Sequence, residues 1–162
     1  MALDELKQLI LQTYRQNRQK ITCAESCTGG MIAAALTDLP GSSEIFECAY
    51  VTYSNAAKKE MLGILEKTLG DFGAVSEEIA REMAIGALER SGADVSIAVT
   101  GIAGPDASEF KPAGRVCFAR AQKSGNCQTL TKEFGPLGRS NVRLKTCKFA
   151  LEWLLNENLL QT

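Results

Sequence analysis

The sequence predicts an α/β fold, a three-layer α/β/α domain with a mixed, mostly parallel sheet. Segments with helical spacing of apolar residues alternate with short β-branched runs, the order that builds helices onto both faces of a sheet. The run DVSIAVTG, residues 94–101, is apolar almost throughout, as in a strand covered on both faces. RVCFARAQ (115–122) and CQTLTKEF (127–134) flank Lys123-Ser124-Gly125-Asn126 in the manner of a hairpin, which makes the sheet mixed.

In chain order, residues 3–18 place Leu3, Leu6, Ile10 and Tyr14 on one helical face with charged residues between them. KITCA, 20–24, reads as a strand, and 28–38 as a helix of small residues ended by Pro40-Gly41. IFECAYVTYS, 45–54, is β-branched and aromatic enough for a strand. Asn55 caps a short helix to Leu62, and Ser76, followed by Glu77 and Glu78, starts another that runs to about Arg90. The glycine-rich loop GIAGPDASEFKPAG follows the apolar strand. A last helix from Arg139 to about Asn156 offers Val142, Cys147, Phe149, Ala150, Trp153 and Leu154 to the core. A length of 162 residues fits one domain, 1–162, able to fold on its own core.

Composition narrows the chemistry. There is no histidine, so Ser-His-Asp and Cys-His machinery is excluded, and proton transfer falls to Lys, Tyr, Asp, Glu or Cys. The 18 basic and 19 acidic residues leave a net charge of -1, which argues against broad nucleic-acid binding. Cys23, Cys27, Cys48, Cys117, Cys127 and Cys147 form no C-x-x-C pair, so they read as reduced packing thiols rather than a metal site. The charged amino terminus is no signal peptide and no apolar run is long enough to span a membrane, which predicts a soluble cytoplasmic protein.

Four constellations can carry chemistry. Glu25-Ser26-Cys27-Thr28-Gly29-Gly30 lies between a strand and a helix, where side chains reach the carboxyl edge of a sheet and helix N–H groups point at a ligand. Ser26 and Cys27 are both candidate nucleophiles there, and a tight turn with a serine cap is the plainer reading. In VTYSNAAK, 51–58, Lys58 falls in the first turn of a helix, where dipole and burial both disfavour its charge. Such a lysine can serve as base for a serine with Tyr53 beside it, or be an ordinary solvated helix residue. Thr100-Gly101-Ile102-Ala103-Gly104-Pro105-Asp106 can cradle a phosphate or line a pocket, yet it matches neither the P-loop nor the dinucleotide fingerprint. Arg139 and Arg143, one helical turn apart, can clamp a phosphate or face solvent.

Taken together, AESCTGG (24–30), PGSS (40–43), VTYSNAAK (51–58), GAVSEE (73–78), MAIGAL (83–88), TGIAGPD (100–106) and KPAGRV (111–116) resemble the family of the CinA carboxyl-terminal domain, also known as nicotinamide-nucleotide amidases. The likeness runs from about residue 20 to 155 and corresponds to the stand-alone form, without the amino-terminal domain of longer members. It implies hydrolysis of the carboxamide of nicotinamide mononucleotide to nicotinic acid mononucleotide and ammonia, with no cofactor or metal. It also implies a Ser, Tyr and Lys catalytic set, which falls on Ser26, Tyr53 and Lys58, and assembly as a homo-oligomer. Under that reading Ser26 attacks the amide, Lys58 takes its proton and Tyr53 relays one to ammonia. Backbone N–H groups of Thr28, Gly29 and Gly30 stabilise the oxyanion. Thr100, Gly101, Gly104, Arg139 and Asn55 bind the nucleotide, its phosphate held by the Thr100–Gly104 loop or by Arg139. Ala56, Ala107, Arg115 and Gly138 depart from the family's usual Glu, Gly, Thr and Asp. The alternative is a catalytically idle module that binds a nucleotide or a partner; a third possibility is an amidase of other specificity.

Overall fold

A computed structural model describes residues 1–108 and 110–156. Its elements are α1 (Leu3–Gln16), β1 (Ile21–Glu25), α2 (Met31–Thr37), a 3-10 turn (Ser42–Glu44), β2 (Phe46–Val51), α3 (Asn55–Leu62), α4 (Glu66–Phe72), α5 (Glu77–Ser91), β3 (Val95–Gly101), β4 (Arg115–Gln122), β5 (Cys127–Glu133) and α6 (Arg139–Leu155). The strands form one sheet in the order β2-β1-β3-β4-β5. β1 pairs in parallel with β2 and β3, whereas β4 is antiparallel to both β3 and β5, so the sheet is mixed and β4 alone is reversed.

Strand periodicity separates two cores. Ile21, Cys23, Val95, Ile97, Val99, Val116 and Phe118 face α1, α2 and α6, where Leu6, Ile10, Ile32, Val142, Leu151 and Trp153 are buried against them. Ala24, Ala98, Cys117, Ala119 and Ala121 face the other way onto Ile79, Ala80, Met83, Ala84 and Ala87 of α5. The small residues on that face let α5 lie close to the sheet. Three layers result, as the sequence predicts.

Local chemistry moves some boundaries. Ser54, not Asn55, caps α3: its backbone is extended and its Oγ accepts the N–H of Ala57 at 3.0 Å, which makes Asn55 the first helical residue. α2 begins at Met31, three residues later than its sequence suggests, because Gly29 and Gly30 take positive φ values of 60° and 107°. Ser76 caps α5 as expected, with its Oγ accepting from Ile79 N. α4 is an addition to the predicted elements. Its seven residues include Gly70, a poor helix former, and the helix is held by another one: Glu82 of α5 accepts from Leu65 N at 2.9 Å and from Thr68 Oγ1 at 2.5 Å.

The topology fixes where a ligand can bind. β2 and β3 lie on opposite sides of β1, and the connection after β1 runs through α2 on one face while that after β2 runs through α5 on the other, which opens a crevice beyond the carboxyl ends of these strands. Glu25 is level with both Val51 and Val99. The segments that follow, Ser26–Gly30, Thr52–Ser54 and Thr100–Asp106, therefore emerge at one edge.

Candidate active site

Ser26 is the first residue past β1 and remains tied to the sheet, its N–H donating to Val99 O at 3.1 Å. Its side chain points to Lys58, whose Nζ lies 2.9 Å from Ser26 Oγ across a sequence separation of 32. Lys58 is only 1% exposed. The same Nζ lies 2.9 Å from Thr52 O and 3.4 Å from Tyr53 O. Both carbonyls can only accept. A neutral amine has two N–H bonds and one lone pair, so with its hydrogens on the carbonyls it turns the lone pair to the serine hydroxyl. Burial lowers the lysine below its ordinary 10.5, against a smaller opposing influence of Cys27. Burial and its contact with Ser26 set Lys58 apart from a solvated helix residue.

Cys27, the other candidate nucleophile, sits in a different environment. It is 5% exposed, and burial pushes its thiol up to about 12, where little thiolate exists near neutral pH. All six cysteines are free thiols.

The loop that carries Ser26 is organised by Glu25, which composition and spacing give no reason to single out. The Glu25 carboxylate is fully buried. One oxygen accepts from Thr28 Oγ1 (2.6 Å), Gly30 N (3.0 Å) and Ile32 N (3.2 Å), and the other from Ala33 N (2.8 Å). It thus caps α2 from the preceding strand, where a negative group also meets the favourable end of the helix dipole. Arg143 secures the outer side of the loop, donating from Nε to Cys27 O and from Nη2 to Thr28 O, each at 3.1 Å. The pairing of Arg139 and Arg143 as one phosphate clamp is therefore corrected: Arg143 is committed to the loop.

The oxyanion expectation is corrected as well. Gly29 N donates to Ser26 O, Gly30 N donates to Glu25, and Thr28 turns its side chain inward to Glu25. Among the described residues, the N–H groups of Cys27 and Thr28 make no hydrogen bond to another residue.

Beside Ser26 is a cavity of about 360 Å³. Ser26, Cys27, Tyr53, Asn55, Lys58, Thr100, Gly101, Gly104 and Arg139 line it, with Ala74 and Val75 on one wall and Asp106, Ala107 and Ser108 on another. The structure thus brings together the three expected catalytic residues and five of the expected binding residues, while the Thr28, Gly29 and Gly30 part of the set stands behind the cavity rather than in its lining. Tyr53 is 60% exposed at the mouth. Its carbonyl touches Lys58, but its phenol oxygen accepts from Arg139 Nη2 at 2.6 Å, and Arg139 Nη1 donates to Gly104 O at 3.1 Å. Arg115 pairs with Glu133 through a 2.6 Å contact instead of entering this cavity.

Glu25→Gln tests the support of the nucleophile. The amide keeps the size of the side chain but sets an NH2 against N–H and O–H donors. A stability loss of about 1–3 kcal/mol by urea denaturation is expected from the unpaired groups. A fall in turnover of about 10- to 100-fold is expected as the serine loses its support. Unchanged turnover and stability would show that Glu25 does not hold the loop.

Residues 3–158 match the CinA C-terminal domain family, and the chain is a member of it. It is 52% identical over 138 residues to the nicotinamide-nucleotide amidohydrolase PncC of Enterobacter agglomerans, covering 85% of this chain and 84% of that protein. The protein of the same name from Escherichia coli strain K12 is 44% identical over 161 residues, 99% of this chain and 97% of that one. The crystal structure of the competence/damage inducible protein CihA from Agrobacterium tumefaciens superposes with a TM-score of 0.92 at 45% identity, covering 94% of this chain and 93% of that chain. Among the described residues no helix is long and apolar enough to cross a membrane.

Proposed function

We propose that residues 1–162 act as a single nicotinamide-nucleotide amidase domain, hydrolysing nicotinamide mononucleotide to nicotinic acid mononucleotide and ammonia. The observation that carries this reading is the 2.9 Å approach of a buried, charge-disfavoured Lys58 to Ser26 Oγ in a cavity large enough for a nucleotide. The names of the relatives supply the substrate; the geometry supplies a means of attacking an amide without histidine.

In this mechanism Ser26 Oγ attacks the carboxamide carbon as its proton passes to the Lys58 amine. The carbonyl oxygen becomes an oxyanion for which the N–H of the cavity-lining Cys27, bonded to no other described residue, serves as donor. Collapse breaks the C–N bond and the nitrogen leaves as ammonia with the proton that Lys58 took from Ser26, passed directly or relayed by the Tyr53 phenol, which accepts from Arg139 and regains its own O–H as it donates. Water then attacks the acyl ester, giving its proton back through Lys58, and releases the acid and free Ser26. Arg139 has guanidinium hydrogens beyond its two bonds to Tyr53 and Gly104, and it serves the phosphate at the cavity mouth together with the Thr100–Gly104 loop.

Ammonia release from nicotinamide mononucleotide, measured beside free nicotinamide, tests the function. Release from the nucleotide and very little from the free base is expected. A folded protein that binds the nucleotide and releases no ammonia would be the idle binding module instead.

A further inference from the structure

One wall of the cavity is held by a lysine outside the catalytic set. Ala74 and Val75 belong to the turn between α4 and α5, and another part of the lining, through Ser108, belongs to the loop after β3. At the base of the cavity Thr100 Oγ1 donates to Ala74 O at 2.7 Å. Further out the connection is made by Lys111, whose Nζ donates to Phe72 O at 2.7 Å and to Val75 O. The Phe72 carbonyl is at the last turn of α4, where backbone acceptors lack helical partners and the dipole favours a cation. Gly73 supplies the turn that presents these carbonyls, its φ of +76° being one that other residues rarely adopt. At its other end Lys111 closes a turn onto the cavity-lining Ser108, with Ser108 N donating to Lys111 O at 2.9 Å and Lys111 N donating to Ser108 Oγ at 3.1 Å. A single side chain therefore bridges the two walls.

We propose that Lys111 is a positioning residue that fixes the width of the substrate cavity. It sets affinity for the nucleotide while leaving bond cleavage to groups anchored elsewhere. Ser26 and its loop are held by β1, Glu25 and Arg143, and Lys58 by α3 and the Thr52 and Tyr53 carbonyls, so neither depends on the 72–75 turn. The inference rests on the amidase reading of the same cavity.

The test is Lys111→Met, which keeps most of the stem and removes the donors, measured by steady-state kinetics on nicotinamide mononucleotide and by backbone hydrogen exchange. A rise in KM of about tenfold with kcat within about threefold is the expected pattern for loss of binding that is equal in ground and transition states. Amides of residues 73–76 are expected to exchange faster than in the parent, while those of β1 and β3 keep their protection. Lys111→Arg, which restores donors on a similar stem, should recover part of both effects. Unchanged exchange at 73–76, unchanged KM, or a loss confined to kcat would each overturn the proposal. A variant that has lost protection throughout the sheet would show Lys111 to be a general stability element and would overturn it too. If the parent itself releases no ammonia, the amidase reading fails, and the exchange measurement still decides whether Lys111 fixes the wall.

Discussion

Ser26→Ala is expected to lower kcat for ammonia release by about 10⁴- to 10⁶-fold, the scale on which a hydrolase loses rate when its nucleophile is removed. The variant should keep its fold, because Ser26 is bound to the sheet through its backbone N–H and only its hydroxyl faces Lys58. Nucleotide binding should persist, since the rest of the cavity lining is untouched. Cys27→Ala is the matched control and is expected to leave turnover little changed, because the thiol is buried and held near 12. The opposite pattern, with Cys27→Ala inactive and Ser26→Ala active, would move the nucleophile to the cysteine.

Replacement of Lys58 should cost nearly as much. Lys58→Arg keeps the charge but cannot give up a proton near neutral pH, so a fall in kcat/KM of about 10²- to 10⁴-fold is expected from loss of the general base. Full activity in Lys58→Arg would make the residue an electrostatic group instead. In the parent, kcat/KM should rise with pH and level off at a midpoint below 10.5, because burial favours the neutral amine that accepts the serine proton. Stability should follow the same group. Between the lowered folded value and 10.5 the unfolded chain holds more protons than the folded one, so stability rises with pH across that window and the contribution is lost on going down through it. Lys58→Met, which has no proton to bind, should remove both pH dependences.

Much of this was legible in the sequence, and the exceptions have physical causes. The apolar run of β3, the serine cap of α5 and the hairpin of β4 and β5 depend on local residue choice, and each is found where the residues place it. α4 depends on Glu82, which is fourteen residues beyond the Thr68 it binds, so local propensity does not show it. Residue chemistry offered Ser26 and Lys58 only as candidates and the family resemblance paired them, but their contact exists because β1 and β2 pair in a register that brings their carboxyl ends level. Glu25 lay inside a quoted motif without a role, since only the folded loop shows its carboxylate gathering the donors of α2. The same holds for Arg143: its spacing from Arg139 suggested one anion site, whereas the packing of α6 against the Ser26 loop gives it two carbonyls.

In the proposed mechanism Ser26, activated by Lys58, forms an acyl ester with the nucleotide. The most direct measurement is turnover of nicotinamide mononucleotide in the presence of hydroxylamine, with both the acid and the hydroxamate of the nucleotide quantified. An acyl-enzyme predicts that hydroxamate appears at the expense of the acid in the parent and that neither product forms in Ser26→Ala. Acid alone from the parent at all hydroxylamine concentrations, or undiminished acid from Ser26→Ala, would mean that water attacks the amide directly and that no acyl-enzyme forms.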